Sequence, residues 1–300
     1  MPPEPLTLMA VHAHPDDEAS TTGGVLALYA AQGVRTVLVT CTDGSCGDGP
    51  GGVKPGDAGH DRAEVARLRE VELRRSCEIL DIGQLELLGY RDSGMMGWAA
   101  NDEPGAFWGM NVDDAARPLV DLIERYRPQV IVTYDANGFY GHPDHIMAHR
   151  ITMAAAASTG IPAKVYHTAI ARSGFAEFAI ALREAGIEPP GVSDREEGRF
   201  ATDEADAPAE TPTFGTADEL ITTTIDVAAY ASTKLESLAA HGSQADNIFF
   251  LQMGPELYAR FFGVESFVRA EDRTDAPVPE SDLFAGIREA VTLAGDDTAP

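Results

Sequence analysis

Leu6-Thr7-Leu8-Met9-Ala10-Val11-His12-Ala13-His14-Pro15-Asp16-Asp17-Glu18 is the stretch on which the reading of the chain turns. Its first six residues are an apolar run that predicts a buried strand. Two imidazoles and three carboxylates then crowd into seven residues, a set that is costly to bury without partners or a purpose. In open α/β sheets, ligands sit at the carboxyl ends of the strands. Histidine with carboxylate is also the donor set of a catalytic divalent metal, with further carboxylates left to move protons. A plainer reading is a polar loop that caps the following helix through Asp17 or Ser20.

Outward from this stretch, Gly23 to Ala31 predicts a helix ended by Gly33, and Val34 to Thr40 a β-branched strand buried on both faces. Strand, helix and strand at this spacing imply a crossover connection and a parallel sheet. Residues 41–60 are a glycine-rich loop of a length that is usually functional or mobile. A charged helix over 61–80, a short strand Leu85 to Leu88 and a helix from Asn111 or Asp113 to the stop at Pro128 follow. Gln129 to Asp135 is the strongest central strand, and a helix opens at Pro143 and runs to about Ser158. Ala163 to Ile170 then predicts a strand and Phe175 to Ala185 a helix.

The expected fold is α/β, a Rossmann-like, mostly parallel sheet flanked by helices, with a smaller C-terminal α+β portion. Residues 1–187 form its catalytic core. Proline, acid and small residues over 188–218 predict a flexible insertion or linker. Residues 219–272 supply strands at Leu220 to Val227 and Ser266 to Val268, the apolar run Ile248 to Leu251, and helices over 228–241 and around Leu257 to Phe262. Residues 273–300 read as a loosely attached acidic tail, in which Leu283 to Ile287 offers an apolar pair for docking.

Composition narrows the class. Of 300 residues 44% are hydrophobic, enough for a substantial core without disulfides. Three cysteines (Cys41, Cys46 and Cys77) form no Cys-x-x-Cys pair, which suits reduced thiols in a cytoplasm. The expectation is a cytoplasmic protein with neither a signal peptide nor a membrane span. A formal net charge of −26 argues against binding nucleic acid or anionic membrane through a basic face. A homo-oligomer is compatible with the composition.

The strongest strand is followed by Asn137-Gly138-Phe139-Tyr140-Gly141-His142-Pro143-Asp144-His145, in the same strand-to-helix position as the first motif. His142 and His145 lie three apart across a helix start, so both can face one point. His14, Asp17 and one of these histidines would give three protein ligands and an open position for water, the count of a catalytic zinc site. Helix caps whose histidines pair with Asp135 and Asp144 are the bland alternative, and two such rims on one sheet disfavour it.

Together, His14-Pro15-Asp16-Asp17-Glu18 and His142-Pro143-Asp144-His145 strongly resemble the zinc-dependent PIG-L/LmbE-like deacetylases. Arg69-x-x-Glu72, Arg91-Asp92-Ser93-Gly94 and Thr133-Tyr134-Asp135 extend the likeness to the mycothiol branch, comprising the inositol-linked N-acetylglucosamine deacetylase and the mycothiol S-conjugate amidase. A weaker match at Ala239 to Gln244 and Asp282 to Gly286 looks more like the amidase. The resemblance implies one catalytic divalent metal, zinc with iron(II) as the alternative, on His14, Asp17 and His145. It implies Asp16 as general base, and His142 as an imidazolium that stabilises the oxyanion. Asp144 would orient that ring, and Tyr140 would reach the same oxygen. Arg69 and Asp92 are implied to line the pocket floor and bind sugar hydroxyls.

The implied reaction is hydrolysis of an amide on an N-acylated glucosamine, releasing amine and carboxylate. Alternatives are the N-deacetylation of a sugar-bearing natural product and a non-catalytic sugar- or metal-binding relative. Glu18, together with His12, is expected to support the site, and His149 to support it or to be a plain helix histidine, whereas His60, His167 and His241 have no constellation around them. One departure concerns Thr42 to Gly49, where mycothiol relatives carry a Gly-Glu-x-Gly segment, and it leaves the substrate open.

Overall fold

A computed structural model describes residues 5–187 and 215–288. The greater part of the expected insertion (188–214) and the last residues of the expected tail (289–300) lie outside the described residues. Seven strands form one sheet in the order β3-β2-β1-β4-β5-β7-β6. They are β1 (Thr7–His12), β2 (Arg35–Thr42), β3 (Gln84–Tyr90), β4 (Val130–Thr133), β5 (Lys164–Ala169), β6 (Thr223–Asp226) and β7 (Val264–Asp272). β3-β2-β1-β4-β5 are parallel, while β7 runs antiparallel to both β5 and β6. The expected C-terminal portion therefore extends the same sheet.

The helices are α1 (Gly23–Ala31), α2 (Arg62–Ile79), α3 (Val112–Tyr126), the single distorted turn α4 (Gly138–Gly141), α5 (Pro143–Thr159), α6 (Arg172–Glu184), α7 (Ala231–Ala240), α8 (Ala245–Gln252) and α9 (Gly254–Phe262). Side-chain alternation along β1 divides the core. Leu8 and Ala10 pack with Val25 and Leu26 of α1 and with Leu73 of α2, on one face. Met9 and Val11 pack with Leu119 and Ile123 of α3 and with Met147 and Ile151 of α5, on the other. Both faces are covered, which is why β1 and β4 read as unbroken apolar runs. No helix among the described residues is long and apolar enough to cross a membrane.

The strand order sets the position of the site. The chain leaves β1 toward β2 on one side, and β4 lies on β1's other side. Neighbouring connections thus diverge between β1 and β4, the topological switch point where open α/β sheets bind ligands. The loops after these two strands carry the two histidine-rich motifs.

Over residues 273–288 the tail is not loosely attached. Leu283, Phe284 and Ile287 are buried in the core of the α1 face, and Tyr29 accepts the Leu283 N–H at 2.7 Å. Just before them, the buried Glu280 carboxylate takes Lys164 Nζ at 2.5 Å, Tyr166 Oη at 2.8 Å, Thr223 Oγ1 at 2.8 Å and Arg269 Nη1 at 2.8 Å. Two cations and two hydroxyls offset the cost of removing that charge from water. Phe284 is fully buried with its ring edge-on to Tyr29 at 5.3 Å. Phe284→Ala should destabilise the fold by about 3–5 kcal/mol in denaturant unfolding, whereas a loose tail would leave the midpoint unmoved.

Candidate active site

Four loops meet at the carboxyl edge of β3, β2, β1 and β4, and backbone bonds tie them together. Tyr134, at the end of β4, accepts the Ala13 N–H at 2.9 Å, joining the fourth loop to the first. The Thr42 N–H and hydroxyl both reach Ala13 O, at 2.8 and 2.9 Å. Asp43 Oδ1 accepts the Asp92 N–H at 3.2 Å, and the Ser93 N–H donates to Asp144 Oδ2 at 2.9 Å.

His14, Asp17, His142 and His145 face one another at the centre. Asp17 Oδ2 lies 3.3 Å from His14 Nδ1, and its Oδ1 lies 3.5 Å from His145 Nε2. The rings of His14 and His145 are 5.2 Å apart, with His142 4.5 Å from the first and 4.9 Å from the second. Tyr134 stacks on His145 at 4.1 Å and fixes the plane of that ring. Tyr140 stands at the exposed rim on α4, its ring edge-on to His145 at 5.0 Å.

Burial and mutual contact divide the charge. Burial opposes ionisation of Asp17, but His145 and His14 outweigh it and hold the carboxyl well below its usual range. Despite burial, bonds to Asp144 and Asp17 raise His14 well above an ordinary histidine. Burial drives His145 down to about 4, and burial with the neighbouring His14 and His145 drives His142 well below its usual value. Burial and the adjacent Asp17 push Asp16 up to about 6 against the pull of Arg69. Burial would also raise Asp92, yet His14, His142 and the Gly94 N–H hold it at about 2.

The donor set fits a divalent metal. His145 Nε2 is buried and has no hydrogen-bond partner among the described residues. Ring nitrogens of His14, His142 and His145 lie within 4.8 Å of one another, with Asp17 spanning two of these residues. Borderline nitrogen donors with one carboxylate suit a transition-metal dication.

Some placements differ from expectation. The Asp144 carboxylate does not orient His142; Oδ2 faces His14 Nε2 at 3.3 Å. His142 instead caps α5, its Nδ1 accepting the Asp144 N–H at 3.1 Å. A ring that accepts at Nδ1 carries its proton on Nε2, and burial with the neighbouring His14 and His145 disfavours a second proton on it. Arg69 is buried and engaged by the chain itself, with Nη1 on Gly44 O at 2.8 Å and Nη2 on Pro15 O at 2.5 Å and on Asp16 Oδ2 at 3.0 Å. A Cβ on Gly44, at φ +64°, would come within 2.7 Å of that guanidinium, so glycine is required there. The Asp92 carboxylate accepts the N–H groups of Cys46 and Gly94, at 2.9 and 2.8 Å.

His241 has a constellation after all. From the end of α7 its Nε2 donates to Glu18 Oε1 at 2.7 Å, with both side chains fully buried. Burial disfavours both charges, yet the contact lowers Glu18 and raises His241, the directions of an ion pair. Next to it, Ser243 holds Glu72 at 2.7 Å and Gln244 Oε1 accepts the Asp48 N–H at 3.0 Å. His12 bonds Thr22 at 2.8 Å and Tyr134 Oη at 3.3 Å. His149 lies outside the central cluster, its Nδ1–H donating to Tyr134 O at 2.9 Å. Tyr134 and Ser93 lie within the sequence motifs, which give neither a role, and His241 is signalled only by its Gly-Ser-Gln continuation.

The PIG-L: GlcNAc-PI de-N-acetylase profile matches residues 9–156, which contain both motifs. A curated protein of Acidothermus cellulolyticus is 42% identical over 97% of this chain and 97% of its own length. The chain belongs to the PIG-L family. That relative bears the name 1D-myo-inositol 2-acetamido-2-deoxy-alpha-D-glucopyranoside deacetylase, as does one of Salinispora arenicola, 42% identical over 97% of this chain and 93% of the relative. Among solved structures, the N,N'-diacetylchitobiose deacetylase of Pyrococcus horikoshii shares this PIG-L fold at a TM-score of 0.53 and 18% identity, covering 88% of this chain and 83% of that one. The 4-carboxy-2-hydroxymuconate hydratase of Pseudomonas putida also shares it, at 0.55 and 17%, covering 91% and 99%. A deacetylase and a hydratase on one scaffold leave the chemistry to the side chains.

Elemental analysis should find near-stoichiometric divalent metal in the purified protein and its loss in His145→Ala; full retention would remove His145 from the ligand set. Arg69→Lys cannot span Gly44 O, Pro15 O and Asp16 together. It should lower kcat by about 10–100-fold through misplacement of Asp16, with a much smaller change in KM. A rise in KM alone would mark Arg69 as a direct sugar contact.

Proposed function

We propose that this enzyme is a metal-dependent N-deacetylase whose substrate is N-acetylglucosamine α-linked to myo-inositol, the compound in the names of its full-length relatives. The observation that carries the reading is the meeting of His14, Asp17 and His145 beside Asp16 at the switch point. Held by these three residues, a divalent ion (zinc, with iron(II) as the alternative) would supply Lewis-acid polarisation of water and of the amide carbonyl.

The chain's own groups account for the proton transfers. Asp16, fixed by Arg69, accepts the proton of the attacking water. As the carbonyl carbon becomes tetrahedral, its oxygen gains negative charge, and the His142 Nε2–H donates to it, with the Tyr140 hydroxyl at the rim directed to the same oxygen. Asp144 takes no part in proton transfer; it holds His14 in place. When the C–N bond breaks, Asp16 returns its proton to the departing amine, leaving acetate and the inositol-linked glucosamine with its amine free.

The likeness to the amidase lay in Ala239 to Gln244 and Asp282 to Gly286. In this fold His241, Ser243 and Gln244 are engaged by Glu18, Glu72 and Asp48, a role within the chain itself. The buried, unpaired thiols of Cys41 and Cys77 fit a cytoplasmic enzyme.

Amine release should be measured with N-acetylglucosaminyl-inositol, mycothiol S-conjugates and acylated glycopeptide sugars. The first should give the highest kcat/KM. Preference for a conjugate or a glycopeptide would move the substrate assignment, and metal-loaded protein inert toward all three would sink the catalytic reading. Asp16→Asn should keep its metal and lose about 10²–10⁴-fold in kcat, the usual contribution of a general base.

A further inference from the structure

Asp16 has a φ of +113°, a conformation that L-residues other than glycine rarely adopt. Such a conformation persists only where the surroundings over-determine it. Three contacts do so here. The Asp16 N–H donates to Glu18 Oε2 at 3.0 Å, its carbonyl accepts the Ala19 and Ser20 N–H groups, both at 3.1 Å, and its carboxylate meets Arg69 at 3.0 Å.

The first contact depends in turn on a distant part of the chain. Glu18 can present Oε2 to the Asp16 N–H only while its other oxygen is held. That oxygen receives His241 Nε2 at 2.7 Å and the Ser76 hydroxyl at 2.5 Å, and Ser76 is backed by Ser237 of α7 at 2.9 Å. His241 Nδ1 has no hydrogen-bond partner among the described residues, so the ring's side-chain hydrogen bonding is committed to Glu18. Neither His241 nor Glu18 is accessible to water or substrate. Their contribution is therefore geometric.

We propose that His241 is a positioning residue for hydrolysis: through Glu18 it locks the left-handed backbone of Asp16 and so aims the general base. The C-terminal portion then completes the catalytic loop as well as the fold. Without His241, a buried carboxylate loses its cation and one of its two anchoring donors. Glu18 turns toward other partners, the Asp16 N–H is released, and the backbone relaxes to negative φ. A displacement of about 1 Å in a catalytic group costs on the order of 10²-fold in rate.

This inference takes the role of Asp16 from the deacetylase reading, and its test separates the two. His241→Leu keeps the volume and removes the donor, whereas His241→Gln keeps an N–H donor near the position of Nε2. In His241→Leu, kcat should fall by roughly 10–100-fold with KM and metal content close to wild type, and His241→Gln should recover most of the rate. A crystal structure of metal-loaded His241→Leu should show Asp16 at negative φ or its carboxylate parted from Arg69. If the leucine variant does not fold, His241→Asn, whose amide is too short to reach Glu18, takes its place. Unchanged Asp16 geometry with kcat within twofold of wild type overturns the proposal, as does a rate loss that only follows loss of metal. Should the wild type release no amine from any acylated glucosamine, the deacetylase reading fails, and the Asp16 geometry alone decides the role of His241.

Discussion

The two oxygens of the Asp17 carboxylate face different parts of the chain. One meets His14 of its own loop through both ring and backbone N–H, and the other meets His145 from the far side of the switch point. A carboxylate this deeply buried is tolerable only with such partners. The need for them draws the loops after β1 and β4 into contact. Tyr134 secures the junction twice, by its hydroxyl on Ala13 and by its ring on His145. Once Asp17 and its histidines are fixed, Asp144 is placed by His14, Ser93 by Asp144, and the 43–48 loop by Asp92.

Much of this was legible in the sequence, and the reason is local. Strands buried on both faces need unbroken apolar runs, and Leu8 to Val11 and Val130 to Val132 are such runs. Their order along the chain, with a helix between each pair, fixes a parallel sheet and therefore a shared carboxyl edge. The motif residues sit at that edge because they follow the strands directly. Helix starts at Asp61 and Asn111 were equally readable, since each caps its helix through its own side chain.

What was not legible depends on pairs far apart in sequence. Glu18 and His241 are separated by 223 residues, and no local pattern announces that one will neutralise the other. Arg69 presented the converse difficulty. A motif match suggests a ligand contact, but only the packed structure shows the guanidinium engaged by Gly44, Pro15 and Asp16. For His142 the resemblance implied a ring oriented by the Asp144 carboxylate, whereas the helix start turns the Asp144 backbone N–H toward Nδ1.

The docking of residues 280–287 has a consequence for synthesis. Leu283 binds Tyr29 across 254 residues, and Glu280 closes on β5 and β6 only after nearly the whole chain exists. Pairings of such sequence separation form late, because the intervening loop must close before they contribute. A nascent chain that has just released residue 145 from the ribosome already carries every proposed metal ligand. It has no counter-charge for Glu18, and the α1 face of the sheet still lacks the cover that Leu283, Phe284 and Ile287 supply. Ligand capture can therefore precede catalytic competence during translation, and the unfinished chain exposes apolar surface that a chaperone must shield until its C-terminal segment arrives.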